Sequence, residues 1–228
     1  MERKVSTKKY LLAFILTIII FAGGVVLGIK LEGARLSDAQ QITLQEKTNL
    51  LSLQLQQKYI ESGIAECNAL NQILEANINE LGKKMATIIG YEKKALLSEG
   101  DFRLQLRDYF LTEIQFLLIS EEISQKCKTD NVKVIYFYDE NEFDTQGKIL
   151  DYLKQLFKNK ILVFSFDSRF TEEPMIRVLL DSYKIKEFPA VVVGSKVFQG
   201  HTSVEPLMET ICADFKKRGN IPEECGKD

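Results

Sequence analysis

Apolar and polar residues are mixed along most of the chain, with one exception. Tyr10–Ile29 reads YLLAFILTIIIFAGGVVLGI and carries no charge. At about 1.5 Å of rise per residue, such a run covers a hydrocarbon core of roughly 30 Å. A core helix of a soluble domain is seldom apolar on every face, so the run predicts a membrane-spanning helix. A signal peptide is the rival, but its apolar stretch is about 7–15 residues and ends at a small-x-small site. This run is longer and no clean site of that kind follows it, so an uncleaved anchor is expected. Gly24 and Gly28 have the GxxxG spacing that lets two membrane helices approach closely. Ordinary glycine content is the plainer reading of so short a motif.

Beyond the anchor the period changes. Leu36–Ile89 lacks proline, and apolar positions step in threes and fours: Leu50, Leu53, Ile60, Ile64, Cys67, Leu74, Ile78, Leu81, Met85 and Ile88, with Gln57 and Asn71 in the gaps. That is a heptad seam, and it predicts one long helix with coiled-coil character. Gly63 and Gly82 would weaken it locally, by up to about 1 kcal/mol each. The pattern stops between Gly90 and Gly100. Asp101 is the expected N-cap of a second helix to about Gln125, which carries Leu104, Phe110, Ile114, Leu117 and Ile123. Helices joined by a short turn usually pack antiparallel. Cys67 and Cys127 are equidistant from Leu97, so a disulfide clamping the hairpin is expected. Two buried free thiols, or Cys67 bonded to its copy in a parallel dimer, remain open.

A third pattern begins at Asn131. Val132–Tyr138 is a β-rich apolar run, and Asp144 or Thr145 can cap a helix reaching Phe157. Ile161–Phe166 is a second strand, and Glu172 to about Tyr183 a second helix. Ala190–Val193 and Lys196–Phe198 flank a turn at Gly194, and a last helix runs from about Ser203 to Lys217. The order βαβαββα implies a mixed sheet covered by helices, with right-handed crossovers in its parallel part.

Charge and composition narrow the picture. Thirty basic and 32 acidic side chains give a net charge of −2, so there is no basic footprint for nucleic acid. A single histidine, His201, argues against a histidine-based metal site or triad. Arg3, Lys4, Lys8 and Lys9 precede the apolar run, and only Lys30 and Arg35 follow it closely. The positive-inside rule then puts the N-terminus in the cytoplasm and the rest of the chain outside. In an oxidising compartment four widely spaced cysteines fit structural disulfides. Cys225 follows a helix stop at Gly219, so the tail could fold back onto Cys212.

The order of elements, the residues Glu187-Phe-Pro-Ala-Val-Val-Val193 and the closing hairpin VFQG resemble the thioredoxin superfamily. The resemblance runs from Val132 to Lys217. More narrowly the chain is similar to membrane-anchored prokaryotic thioredoxin-like proteins. Tyr136-Phe-Tyr138 and Gln146-Gly147 add to that comparison. The resemblance implies a cis proline at Pro189 and a peptide groove at Phe188, Pro189 and Ala190. It also implies a CxxC motif after the first strand, where a helix N-terminus lowers a thiol's pKa. Here the chain departs from the family: Asp139, Glu140, Asn141, Glu142, Phe143 and Asp144 occupy that place, and no cysteine lies between Cys127 and Cys212. Oxidoreductase activity is therefore expected to be lost. The oxygens of this loop could serve a hard cation, but the glycine and terminal glutamate of an EF-hand are missing. Acidic residues solvated near a helix N-terminus are the better reading.

These readings divide the chain into a cytoplasmic N-terminus (1–9), a transmembrane helix (10–29), a helical stalk (30–130), a thioredoxin-like domain (131–218) and a tail (219–228). The expected function is non-catalytic, with no cofactor and no metal: a cell-membrane protein whose outer domain binds or scaffolds another extracytoplasmic or membrane protein, as a monomer or a homodimer. The alternatives are a thiol-disulfide role using Cys212 and Cys225 or a partner's cysteine, and a coiled-coil spacer that oligomerises through Leu50–Ile88 and Gly24/Gly28.

Overall fold

A computed structural model describes residues 7–94, 99–127, 129, 131–139 and 145–226. The chain divides into two compact units, one up to Gln56 and one from Gln57 onward.

The first unit belongs to a single helix, α1 (Thr7–Glu61). Within it the 21 residues Tyr10–Lys30 are long and apolar enough to cross a membrane, and their side chains are exposed. The one aliphatic hydroxyl in this stretch, Thr17, donates to the carbonyl of Ala13 at 2.9 Å. Bonding back to the preceding turn satisfies a polar group where no water is available.

The second unit opens within the last turns of α1. The expected single helix over Leu36–Ile89 is broken: α1 ends at Glu61 and α2 begins at Cys67 (Cys67–Lys94). The cause is local. Gly63 has φ +73°, in the left-handed region that side chains disfavour. Its N–H reaches back to the carbonyl of Ile60 at 3.3 Å, and the Ser62 hydroxyl donates to the carbonyl of Tyr59 at 2.7 Å. The heptad pattern runs on across this break because both flanking helices are amphipathic. Ile60 and Leu74 of the seam are buried within the chain itself.

α3 (Glu99–Lys126) starts ahead of Asp101, which is therefore inside the helix and not its cap. α2 and α3 form an antiparallel hairpin. Lys84 of α2 pairs with Asp108 of α3 near the turn, and Cys67 is bonded to Cys127 at the far end, with Cα atoms 5.7 Å apart. The inner side of α3 carries aromatic rings onto the sheet: Phe116 lies 5.4 Å from Phe164, and Phe110 lies 6.2 Å from Phe166. The hairpin and the sheet thus belong to one compact body.

The sheet has four strands: β1 (Val132–Tyr138), β2 (Ile161–Asp167), β3 (Ala190–Val193) and β4 (Lys196–Gln199), in the order β2-β1-β3-β4. β1 pairs parallel with β2, Val132 facing Ile161, and antiparallel with β3, Val134 facing Val193. β3 and β4 are antiparallel. The architecture is mixed α/β, as the order of elements predicts. Both faces of the central strands are covered, which is why β1 reads as a nearly continuous apolar run. Val134, Tyr136 and Val191 pack against α4 (Thr145–Phe157) and α6 (Val204–Arg218) through Leu153, Ile211 and Phe215. Phe157 and Phe215 stack at 5.7 Å. Ile135, Phe137 and Phe166 face the other way, toward α3 and α5 (Pro174–Ser182).

Boundaries shift where capping decides them. α5 starts at Pro174, not Glu172, because the Glu173 carboxylate accepts from the N–H of Met175 at 3.0 Å and proline suits the first turn. α6 stops at Gly219, φ +81°, and the tail returns to bond Cys225 to Cys212, with Cα atoms 5.5 Å apart.

Candidate functional site

The β-register gathers several ends in one place. Phe137, near the end of β1, faces Ala190 at the start of β3, and Ala190 in turn faces Gln199 at the end of β4. The Phe188–Pro189 peptide bond just before β3 is cis. Phe188 and Pro189 are half-buried and reachable, but Ala190 is fully buried. The expected three-residue groove is therefore corrected: Ala190 faces the interior of the sheet, and its side chain cannot line a groove.

Side-chain hydrogen bonds fix the loop before Pro189. Gln199 Oε1 accepts from the N–H groups of Lys186 at 2.7 Å and Glu187 at 3.0 Å. Gly200 turns with φ +78°, and a Cβ there would meet the Glu187 carboxylate at 3.4 Å. A few residues on, the N–H of Thr202 donates to Gln146 Oε1 at 2.8 Å, tying the first turn of α4 to the loop after β4. The Gln146 side chain is buried, and among the described residues its Nε2 has no hydrogen-bond partner. A buried amide donor without a partner is costly.

Of the acidic loop, only Asp139 is placed; Glu140, Asn141, Glu142, Phe143 and Asp144 lie outside the described residues. Asp139 pairs with Arg169 at 3.5 Å, and Arg169 also approaches Asp167 at 3.5 Å. His201 is exposed. Among the described residues no three His, Cys, Asp or Glu side chains come together as a metal site, and all four cysteines are in disulfides. The described side chains offer apolar contact at Phe188 and Pro189, a buried donor at Gln146, and no thiol nucleophile.

Sequence reasoning passed over Gln199, Thr202 and Arg169, whose roles depend on contacts between distant segments. It also passed over two buried titratable groups behind the sheet. Glu113 of α3 accepts from the N–H of Ser165 at 2.6 Å, and Tyr109 lies beside it. Burial pushes its carboxyl up to about 8, against the opposing effect of the bonds from Ser165 and Tyr109. Lys133 of β1 is the second. Both could have been flagged by their position, one inside the apolar face of a helix and one inside an apolar strand.

No protein-family model matches the chain, and no curated protein matches it. Among solved structures, the chain is similar to one described as "Structure of a malarial protein". The identity is 19% over 39% of this chain and 97% of that one, with a TM-score of 0.31. A likeness so slight carries no argument about fold or function.

Proposed function

We propose that this chain is a membrane-anchored protein whose outer domain is thioredoxin-like, has lost redox chemistry, and binds an extended segment of another protein. The observation that carries the reading is the pair Phe188 and Pro189, half-buried and apolar, at the end of the sheet where β3 starts and β4 ends. An extended peptide supplies apolar side chains for such a surface. The sheet order β2-β1-β3-β4, with an antiparallel hairpin at the end, supports the thioredoxin-like reading. The absence of cysteine between Cys127 and Cys212 supports the loss of redox chemistry. The basic residues ahead of Tyr10 support an outward-facing domain.

The test is site-specific photocrosslinking of the full chain in its native membrane. A photoreactive residue at Phe188 should capture a partner. The same residue at Lys148, exposed on α4, should not. Capture at Phe188 should fall about tenfold with Gln146→Leu, which releases the loop after β4 from the first turn of α4. Equal capture from both positions would refute the peptide site. Disulfide reductase activity that disappears in Cys212→Ser would refute the non-catalytic reading.

A further inference from the structure

Past the apolar span, α1 carries apolar residues on two opposite sides. At about 100° per residue, Leu53 and Ile60 fall within about 20° of each other around the helix, and both are buried. Leu44, Leu51 and Leu55 fall within about 40° of one another, roughly half a turn away from that pair. They are 66%, 50% and 66% exposed. Thr48 is in step with them, and its hydroxyl is satisfied within the helix by the carbonyl of Leu44 at 2.8 Å. One apolar side of α1 is thus spent inside the chain, and the other has no cover among the described residues.

Single leucines on a surface are ordinary, but these are spaced. Leu44, Thr48, Leu51 and Leu55 follow one another in steps of four and three, the stepping of a two-stranded coiled-coil seam. Carried back toward the N-terminus in the same alternation, the series enters the span at Leu27 and Gly23. Open space surrounds Gly23, and a residue without a side chain lets membrane helices approach closely. Lys30, at the edge of the span, is the one charge in the series from Gly23 to Leu55. The Gly24–Gly28 pair is one residue out of step with it.

The anchor selects the occupant. α1 is unbroken from Thr7 to Glu61, so Leu51 stands a set distance past Lys30, about 30 Å by helix rise. All copies of one chain enter the bilayer in the same direction. Two copies side by side are therefore parallel and level, with Leu51 opposite Leu51 and Leu55 opposite Leu55. A stripe in heptad step meets itself in register in that arrangement, as a two-fold interface requires. An unrelated helix would have to match both the height and the step. About two heptads would hold a soluble pair of helices weakly. Here the helix is already formed, and a shared bilayer keeps the two copies at high effective concentration.

We propose that the chain forms a parallel homodimer through α1, the second copy covering Leu44, Thr48, Leu51 and Leu55. Such a dimer depends on the membrane anchor proposed above and not on the peptide surface at Phe188.

The experiment is cysteine crosslinking of the full chain in its native membrane, with the four native cysteines left in their disulfides. Leu50 and Leu51 are neighbours of equal exposure, 51% and 50%, but point about 100° apart around the helix. Under mild oxidation Leu51→Cys and Leu55→Cys should each give disulfide-linked dimers, at least about fivefold more than Leu50→Cys. With Leu44→Cys as the reporter, adding Leu51→Glu and Leu55→Glu should reduce the dimer to the Leu50→Cys level. Both glutamates replace exposed side chains, so the fold of the single chain is spared. Equal crosslinking at the two neighbours, stronger crosslinking at Leu50, no dimer at any position, or a dimer that survives both glutamates would overturn the proposal. A product with the mass of a different protein would overturn it too, and assign the stripe to that protein. Recovery of the chain in the soluble fraction would refute the anchor and the dimer with it, whereas a membrane-bound chain that stays monomeric refutes the dimer alone.

Discussion

Glu113 shows how one side chain can set the pH response of the fold. Its carboxyl is buried against the edge strand β2, where the N–H of Ser165 would otherwise have no ladder partner on that side. Burial raises its pKa to about 8 in the folded chain. In an unfolded chain a glutamate titrates near 4.3. Between these values the folded state holds a proton that the unfolded state has lost, so stability falls as pH rises through this window. The contribution is fully present below the unfolded value and gone above the folded one. The urea midpoint should therefore be higher at pH 5 than at pH 8.5. Glu113→Gln, which keeps a neutral, hydrogen-bonding side chain, should flatten most of that difference and stabilise the protein at the higher pH. Parallel pH profiles for the two proteins would show that another group is responsible. The neighbouring Tyr109 phenol is pushed up by burial and by Glu113 and stays protonated throughout this range.

At the scale of elements, the helical hairpin depends on its ends. The Cys67–Cys127 bridge closes 60 residues, and the Cys212–Cys225 bridge closes 13. Chain entropy makes the longer closure worth about 4 kcal/mol and the shorter about 3 kcal/mol. Cys67→Ser with Cys127→Ser should thus lower the thermal midpoint more than Cys212→Ser with Cys225→Ser. Peptide mapping without reductant should link the start of α2 to the end of α3. Bonding between two copies of Cys67 would contradict this hairpin. Gly63→Ala should cost about 1 kcal/mol in denaturant titration, since open space surrounds the residue and only its positive φ resists a side chain.

These elements also show what the sequence could reveal. β1 and β3 are legible to the residue because apolar, β-branched runs end abruptly at turns. The equidistance of Cys67 and Cys127 from the hairpin turn is equally readable. The stop at Ser62-Gly63 is not, because the heptad seam has the same phase on both sides of it. The contact of α3 with β2 is hidden for another reason. The broad apolar face of α3 serves α2 and the sheet at once, and periodicity reports that a face is buried without saying against what. At the candidate site, Pro189 and Phe188 were readable through a motif, whereas Gln146, Thr202 and Gln199 acquire their roles only when remote loops meet.

At the scale of the whole molecule, sidedness and disulfides make one linked argument. Four basic residues, Arg3, Lys4, Lys8 and Lys9, precede the apolar stretch of α1. Such clusters are retained on the cytoplasmic side. Everything beyond Lys30 would then fold where disulfides persist, and both cysteine pairs need such a compartment. The two observations are independent, since one concerns charges before the span and the other thiols far after it. Alkylation of freshly extracted protein without reductant should therefore find no free thiol. Because the native cysteines are then silent, an added one reports location directly. In intact cells a membrane-impermeant maleimide should label Lys148→Cys, exposed on α4, and leave Ser6→Cys unlabelled until the membrane is opened. The reverse labelling, together with four free thiols, would place the sheet in the cytoplasm. An exposed domain there would have no use for the clamp at the base of its hairpin, and the reading of an outward-facing peptide site would fall with it.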